Sequence, residues 1–470
     1  MLNPQTLTTS RIPSALWVLS ALSFLVLFQG RWAVAPVYGF DESCYIEYLH
    51  HFLQESFPAC YSKSHFWGAS LTWIFPGFLA KLLSPLTGIP FTELAIPLIG
   101  LTSFLQWVAS FFILYRTWGI LKTQQPNLPN PSVSWVWIAL LAAPLTPYVF
   151  RWNFFSHAAE AFLVSLTFYF LVKNKWVLAF LFAGWTFATR LNDIAILLIV
   201  GLAWISKPNE KRDPLNNKIL FSALVVVAVP VLFKLWRVCF VTGYNGFYLS
   251  HVLKAFNGTG FKNGLLDHHH GLLWHDFLWL ITLPYFILRL KKSSRLEWGL
   301  VLWQVSCLFI HSSQFIFWGF SENRLLIGSY LGVFLHLLIL WPQMKPFTQK
   351  FWAASLSLAA FWRTWYFLAA TAPGLRYWEQ ITRQKEVNPV VAAFQMLAHP
   401  IKTMEITAGL SPIGFSIFSL AKEMAFFQKY QEFQKYALSG SSLFALSFFT
   451  FLTLLFIAWQ LRAKPLSKET

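Results

Sequence analysis

Thirteen apolar stretches, most of them near the roughly 20 residues that span a bilayer, dominate this chain: 15–34, 66–86, 93–115, 133–150, 157–172, 176–190, 191–206, 219–241, 271–288, 297–318, 325–342, 351–370 and 441–460. A chain of this kind folds around lipid rather than water. Charged residues make up 12% of the 470, against about 25% in soluble domains. The expected fold is all-α: a polytopic membrane protein of about twelve transmembrane helices.

The count of twelve follows from charge. If 66–86 spans, every later loop changes side and the basic loops lie outside. If instead its Pro76, Gly77 and Lys81 mark an interfacial or re-entrant helix pair, half of the 36 Lys and Arg gather in short loops on one side. Those loops surround Lys122, Lys173, Lys207, Arg289, Lys345 and Lys464, as the positive-inside rule requires. Both termini are then cytoplasmic. The expected organisation is a core of 1–370 with an external loop at 32–91, an external or interfacial helical segment at 371–440, and a last span and tail at 441–470. Within 371–440, MAFFQKYQEFQKYAL (424–438) is amphipathic and suits a helix lying on a membrane surface.

The formal charge of +17 would suggest nucleic acid in a soluble protein. Here the basic residues sit at span ends, facing anionic headgroups, and no basic aromatic domain is present to grip a nucleic acid. Four cysteines, Cys44, Cys60, Cys239 and Cys307, have no metal-ribbon or redox spacing. Cys44 and Cys60 fall in one external loop, as a disulfide or as two thiols. The run Ala15–Gly30 lacks a small-residue cleavage site and reads as an uncleaved anchor.

With this topology the unusual polar residues collect on the non-cytoplasmic face. YGFDESCYIEYLHHF (38–52) places Asp41 and Glu42 at the start of a segment with helical spacing of Tyr45, Ile46, Tyr48, Leu49 and Phe52. Such acids cap a helix or, at a membrane surface, serve function. RWNFFSHAAEAF (151–162) supplies His157 and Glu160, and ATRLND (188–193) supplies Arg190 and Asp193. HHHGLLWHDFLWLITLP (268–284) has a cluster of His268, His269, His270 and His275 with Asp276, and SENRLLIGSY (321–330) carries Arg324. Imidazole and carboxylate suit zinc or manganese, but three successive histidines on a helix point in different directions.

An Asp-Glu pair just after the first span, followed by an aromatic amphipathic helix, resembles the GT-C class of integral-membrane glycosyltransferases, which includes protein O-mannosyltransferases and lipid A aminoarabinose transferases. The resemblance implies interfacial helices in the first external loop and transfer of sugar from a polyprenyl-phosphate donor to a lipid, glycan or protein acceptor. Asp41 would be the base, with Glu42 beside it and Glu160 as a helper. Lys81, His157, Arg190, Asp193, His270 and Arg324 would bind substrate. No metal ligand is assigned, although some members of the class use a divalent metal. The class also implies a multi-pass protein of a bacterial cytoplasmic membrane with its site outward. The alternative is a transporter or flippase of a lipid-linked or small polar substrate, which explains twelve spans and edge charges equally but not the gathering of acids and bases on one face.

Overall fold

The computed structural model describes residues 13–27, 49, 53, 68–150, 156–190, 193–205, 262, 264–266, 271–290, 294–318, 326–369 and 389–398. Among these residues every regular element is helical: α1 (Ser14–Leu27), α2 (Gly68–Thr87), α3 (Phe91–Gln124), α4 (Val133–Ala142), α5 (Thr146–Phe150), α6 (His157–Val172), α7 (Trp176–Thr189), α8 (Ile194–Ile205), α9 (Leu272–His275), α10 (Phe277–Arg289), α11 (Arg295–Trp318), α12 (Ile327–Leu340), α13 (Pro346–Ala369) and α14 (Pro389–Leu397). The described residues adopt the all-α class expected from the apolar runs. Two of these helices, Gly68–Thr87 and Pro97–Gln124, are long and apolar enough to cross a bilayer. The runs 219–241 and 441–460 and the segment 399–440 lie outside the described residues.

Two runs differ in detail from their reading as sequence. Residues 66–86 do not form a helix pair: α2 is one helix through Pro76 and Pro85. Gly77 is small because Leu53 and Leu49 cross there; a Cβ would lie 2.6 and 2.9 Å from their side chains. It serves close packing and does not break the helix. The run 133–150, in contrast, is broken into α4 and α5. Ala143 is extended at φ −68, ψ 149, as a residue preceding proline must be, and Pro144 follows it.

Register along α3 fixes what stands beside what. Gln106 Nε2 donates to Thr72 Oγ1 at 2.8 Å, so α2 and the first half of α3 form a hairpin about the 88–90 turn. Gln124 Nε2 donates to the Val172 carbonyl at 2.9 Å, so the second half of α3 runs alongside α6 to their shared end. From Gln106 to Gln124 is about 27 Å of helix. The α2–α3 hairpin therefore stands beyond the N-terminal end of α6.

α6 and α7 form the second hairpin. Its turn passes through Asn174 at φ 56, a left-handed conformation that asparagine tolerates. The end of α7 thus lies beside the start of α6. A continuous apolar core runs through α1, α3–α8 and α10–α13, and Leu49, Leu53, Trp73, Ala80 and Ile99 form a separate core under the hairpin that reaches Ala159 on α6.

Candidate functional site

The first turn of α6 carries His157 and Glu160 three residues apart, hence on one face. Both are fully buried. His157 Nδ1 lies 3.3 Å from Glu160 Oε2, and its ring packs on Tyr148 with centroids 4.1 Å apart.

The end of α7 brings Arg190 to the same place. Its backbone turns out of the helix at φ −149, ψ 124 while its N–H still donates to the Thr186 carbonyl. Its Nε lies 3.3 Å from Glu160 Oε2, and Nη1 donates to Ser156 Oγ at 3.4 Å. The same Nη1 is 3.0 Å from Nδ1 and 3.2 Å from Nε2 of His157. The side chain keeps 12% of its surface exposed, while that of Glu160 keeps none. Asp193 follows through a turn in which its N–H donates to the Arg190 carbonyl at 3.1 Å.

The third element is the N-terminus of α12. Gly328, in the first turn, donates its N–H to Glu160 Oε1 at 2.9 Å. First-turn amides have no partner within their own helix, and the helix end attracts negative charge. The absence of a side chain at 328 is a steric requirement. A Cβ would stand 2.9 Å from Asp193 Oδ1, 3.0 Å from Glu160 Oε1 and 3.0 Å from Cζ2 of Trp303.

Chemically this is a buried carboxylate with a charged, an amide and an imidazole neighbour. Two carboxylates face one guanidinium. Asp193, fully buried, lies against Glu160 and Trp303, both of which interact with its carboxylate, and shares the Arg190 guanidinium with Glu160. Trp303 and the buried Cys307 of α11 lie on the same side, with Trp303 packed on Phe168 at 6.3 Å between centroids.

Of the residues expected from sequence, the structure thus brings together Glu160, His157, Arg190 and Asp193. Lys81 is elsewhere: it is exposed on α2, thirteen residues (about 20 Å of helix) beyond Gly68, and its Nζ donates to the Leu53 carbonyl at 2.6 Å. Asp41, Glu42, His270 and Arg324 lie outside the described residues, as do Cys44, Cys60 and Cys239.

The described part of the histidine cluster is engaged structurally. Asp276 pairs with Arg363 of α13, whose Nη2 also donates to the His275 carbonyl at 2.7 Å, and the His275 ring packs on Tyr366 at 4.4 Å. Among the described residues no group of three or more His, Cys, Asp and Glu side chains is placed to hold a metal ion.

Three participants were not foreseen. Gly328 sits inside the SENRLLIGSY phrase but was overshadowed by Arg324. Arg363 is a charge inside the apolar run 351–370, where a charge is costly and calls for a partner; that cost was the readable signal. Gly68 carries no signal in sequence. It packs so closely that a Cβ would lie 2.5 Å from the backbone of Ala188 and Thr189, immediately before Arg190, and its carbonyl accepts from Trp185 Nε1 at 2.7 Å.

Comparison with protein-family models, with curated proteins and with solved structures finds no match.

Proposed function

We propose that this chain is a polytopic membrane glycosyltransferase of the GT-C type, moving a sugar from a polyprenyl-phosphate donor to an acceptor on the non-cytoplasmic face. The observation that carries the reading is the meeting of Glu160 and Arg190 at 3.3 Å, with His157 and Asp193, at one end of the helical bundle. Residues from two chain segments chosen by their resemblance to that class come to one place, at the helix end formed by a third. The standing of the α2–α3 hairpin beyond that same end supports an interfacial position for 66–86, hence twelve spans with both termini cytoplasmic. A bacterial cytoplasmic membrane, with the site outward, is the location that goes with this reading.

In the proposed reaction the acceptor hydroxyl oxygen attacks the anomeric carbon as the bond from that carbon to the phosphate oxygen breaks. The acceptor proton passes to Asp41, and polyprenyl phosphate leaves with the bonding pair. A single backside displacement inverts the anomeric centre. Phosphate leaves without a general acid, but its charge needs guanidinium or ammonium partners, a role assigned to Arg190 and Arg324. Glu160 holds Arg190 in place, and Asp193 offers acceptors for a sugar or acceptor hydroxyl. Glu42 and His270 complete the proposed site. Lys81 donates to the Leu53 carbonyl in the hairpin, away from this cluster.

A transporter would need a polar route along the bundle. Glu297 and His336, 3.7 Å apart, lie two turns of α12 beyond Gly328. Between them Gly332 is closed over by Trp303 and Leu300, which a Cβ there would meet at 3.2 and 3.4 Å. This apolar packing separates the two polar groups along this face of α12, which favours the enzyme reading over a conduit there.

The test is transfer of labelled sugar from a panel of polyprenyl-phosphate donors by purified chain in lipid, comparing wild type with Asp41→Asn at equal folded amount. Transfer by wild type that falls at least 100-fold in the variant is expected. Absence of transfer from every donor, with and without divalent metal, overturns the proposal; full transfer by Asp41→Asn removes Asp41 as base.

A further inference from the structure

The end of the bundle opposite Glu160 contains a cavity of about 230 Å³. It lies where α3, α12 and α13 end or begin, walled by Trp118, Trp135, Phe334, Trp341, Trp352 and Leu356. No Asp, Glu, Lys or Arg lines it, and its polar lining is Asn130 and Ser132. Its volume is below the about 300–1,000 Å³ of sites that enclose a whole organic ligand. It therefore suits a segment of apolar chain. Trp118 Nε1 is satisfied by the Pro129 carbonyl at 3.1 Å, whereas the buried Trp352 Nε1 has no acceptor among the described residues.

The chain around this cavity is basic. Lys122 lies one turn beyond Trp118 on α3 and donates to the Pro126 and Leu128 carbonyls, not to a carboxylate. Lys345 and Lys350 lie within the segment between Trp341 and Trp352, and both are exposed. An apolar, tryptophan-walled hollow bordered by cations is the arrangement that takes a lipid by chain and headgroup together.

We infer that this cavity binds one anionic phospholipid, with an acyl-chain segment against the tryptophans and its phosphate facing Lys345, Lys350 and Lys122. The inference rests on the bilayer placement proposed above and not on the transferase chemistry. The occupant is a lipid of the leaflet facing away from the Glu160 cluster, so the site is distinct from any donor site.

Purified full-length chain, delipidated in mild detergent, is mixed with phosphatidylglycerol or with phosphatidylcholine of the same chains. Native mass spectrometry then counts retained lipid, and thermal unfolding reads stabilisation. One retained phosphatidylglycerol, at tenfold or greater preference over phosphatidylcholine, is the expected result. Ala353→Phe, which fills the cavity from its wall, removes the retained lipid. The surface double variant Lys345→Gln/Lys350→Gln leaves folding intact and loses the preference for the anionic headgroup. Millimolar glycerol 3-phosphate, a headgroup without chains, does not displace the lipid. Equal retention of the two lipids, unchanged retention in both variants, or displacement by glycerol 3-phosphate overturns the inference. Release of the chain from membranes by alkaline carbonate overturns the bilayer placement itself, a separate failure.

Discussion

Replacing Gly328 by alanine tests the construction of the buried cluster with a single methyl group. The added carbon would stand 2.9 Å from Asp193 Oδ1, 3.0 Å from Glu160 Oε1 and 3.0 Å from the Trp303 ring. All three neighbours are buried side chains, so none can swing into solvent. Overpacking of this kind costs about 1–3 kcal/mol. Any shift of Glu160 also stretches the 2.9 Å bond from Gly328 N–H, and a bond to a charged group contributes about 1.5–3 kcal/mol. Against this, alanine gains about 1 kcal/mol over glycine inside a helix, although at the first turn the gain is smaller. The net expectation is a loss of about 2–4 kcal/mol. Two internal controls calibrate it. At Gly332 a Cβ would meet Trp303 at 3.2 Å, a milder conflict; at Gly201 it would meet nothing within 4 Å, and substitution there should be neutral or stabilising. Thermal unfolding of the three alanine variants in one detergent should rank Gly201 at or above wild type, Gly332 below it and Gly328 lowest. Gly328→Ala unfolding at or above the wild-type temperature would refute the close approach of two carboxylates to this helix end.

Other variants separate the roles within the bundle. Glu160→Gln keeps an acceptor for Gly328 N–H but removes the charge facing the nearly buried Arg190; transfer measured with the donor panel at equal folded amount should drop about 100-fold, and unfolding should show a loss of about 3 kcal/mol. Arg190→Lys preserves charge but loses the fork that reaches Glu160, Ser156 and His157 together, so its activity should fall nearly as far as that of Arg190→Ala. Breaking the Asp276–Arg363 pair by Arg363→Leu should cost about 3–5 kcal/mol in unfolding experiments, and the double replacement Asp276→Leu/Arg363→Leu should recover most of it. A double variant no more stable than the single one would show that the pair does not account for the loss.

The parts legible in the sequence were those whose signal is local. Apolar runs against bilayer length marked the helices, because helical backbone satisfies its own polar groups in lipid. Glu160 and Arg190 were legible as charges at run ends, and their spacing from the runs implied the same side. What could not be read was contact. Gly328 and Gly68 matter because of what faces them from distant segments, Asp193 and Glu160 for one and the 188–189 backbone for the other, and no periodicity reports a missing side chain's neighbour. The break at Ala143 was foreshadowed by Pro144, yet Pro76 of the same residue type left α2 continuous. Proline removes one hydrogen bond, and packing decides whether the helix bends: Gly77, beside Pro76, is held against Leu49 and Leu53, while Ala143 and Leu145, on either side of Pro144, are buried in the core in the broken conformation.

The same contacts explain how the hairpin and the cluster act as one unit. Gly68 begins α2 in backbone contact with Ala188 and Thr189, and the next residue is Arg190. Four residues later Thr72 is fixed to Gln106 of α3, and α3 packs along α6, which carries His157 and Glu160. The α2–α3 hairpin therefore has a rigid foot at the end of α7, which aims the guanidinium. A displacement of the hairpin by as little as the ångström that a methyl group at 68 would demand reaches Arg190 through one peptide unit. Proteins transmit such shifts because close-packed contacts have no slack. The hairpin and the end of α7 therefore move together, and on the glycosyltransferase reading that coupling would hold the Arg190 guanidinium in place against a leaving phosphate.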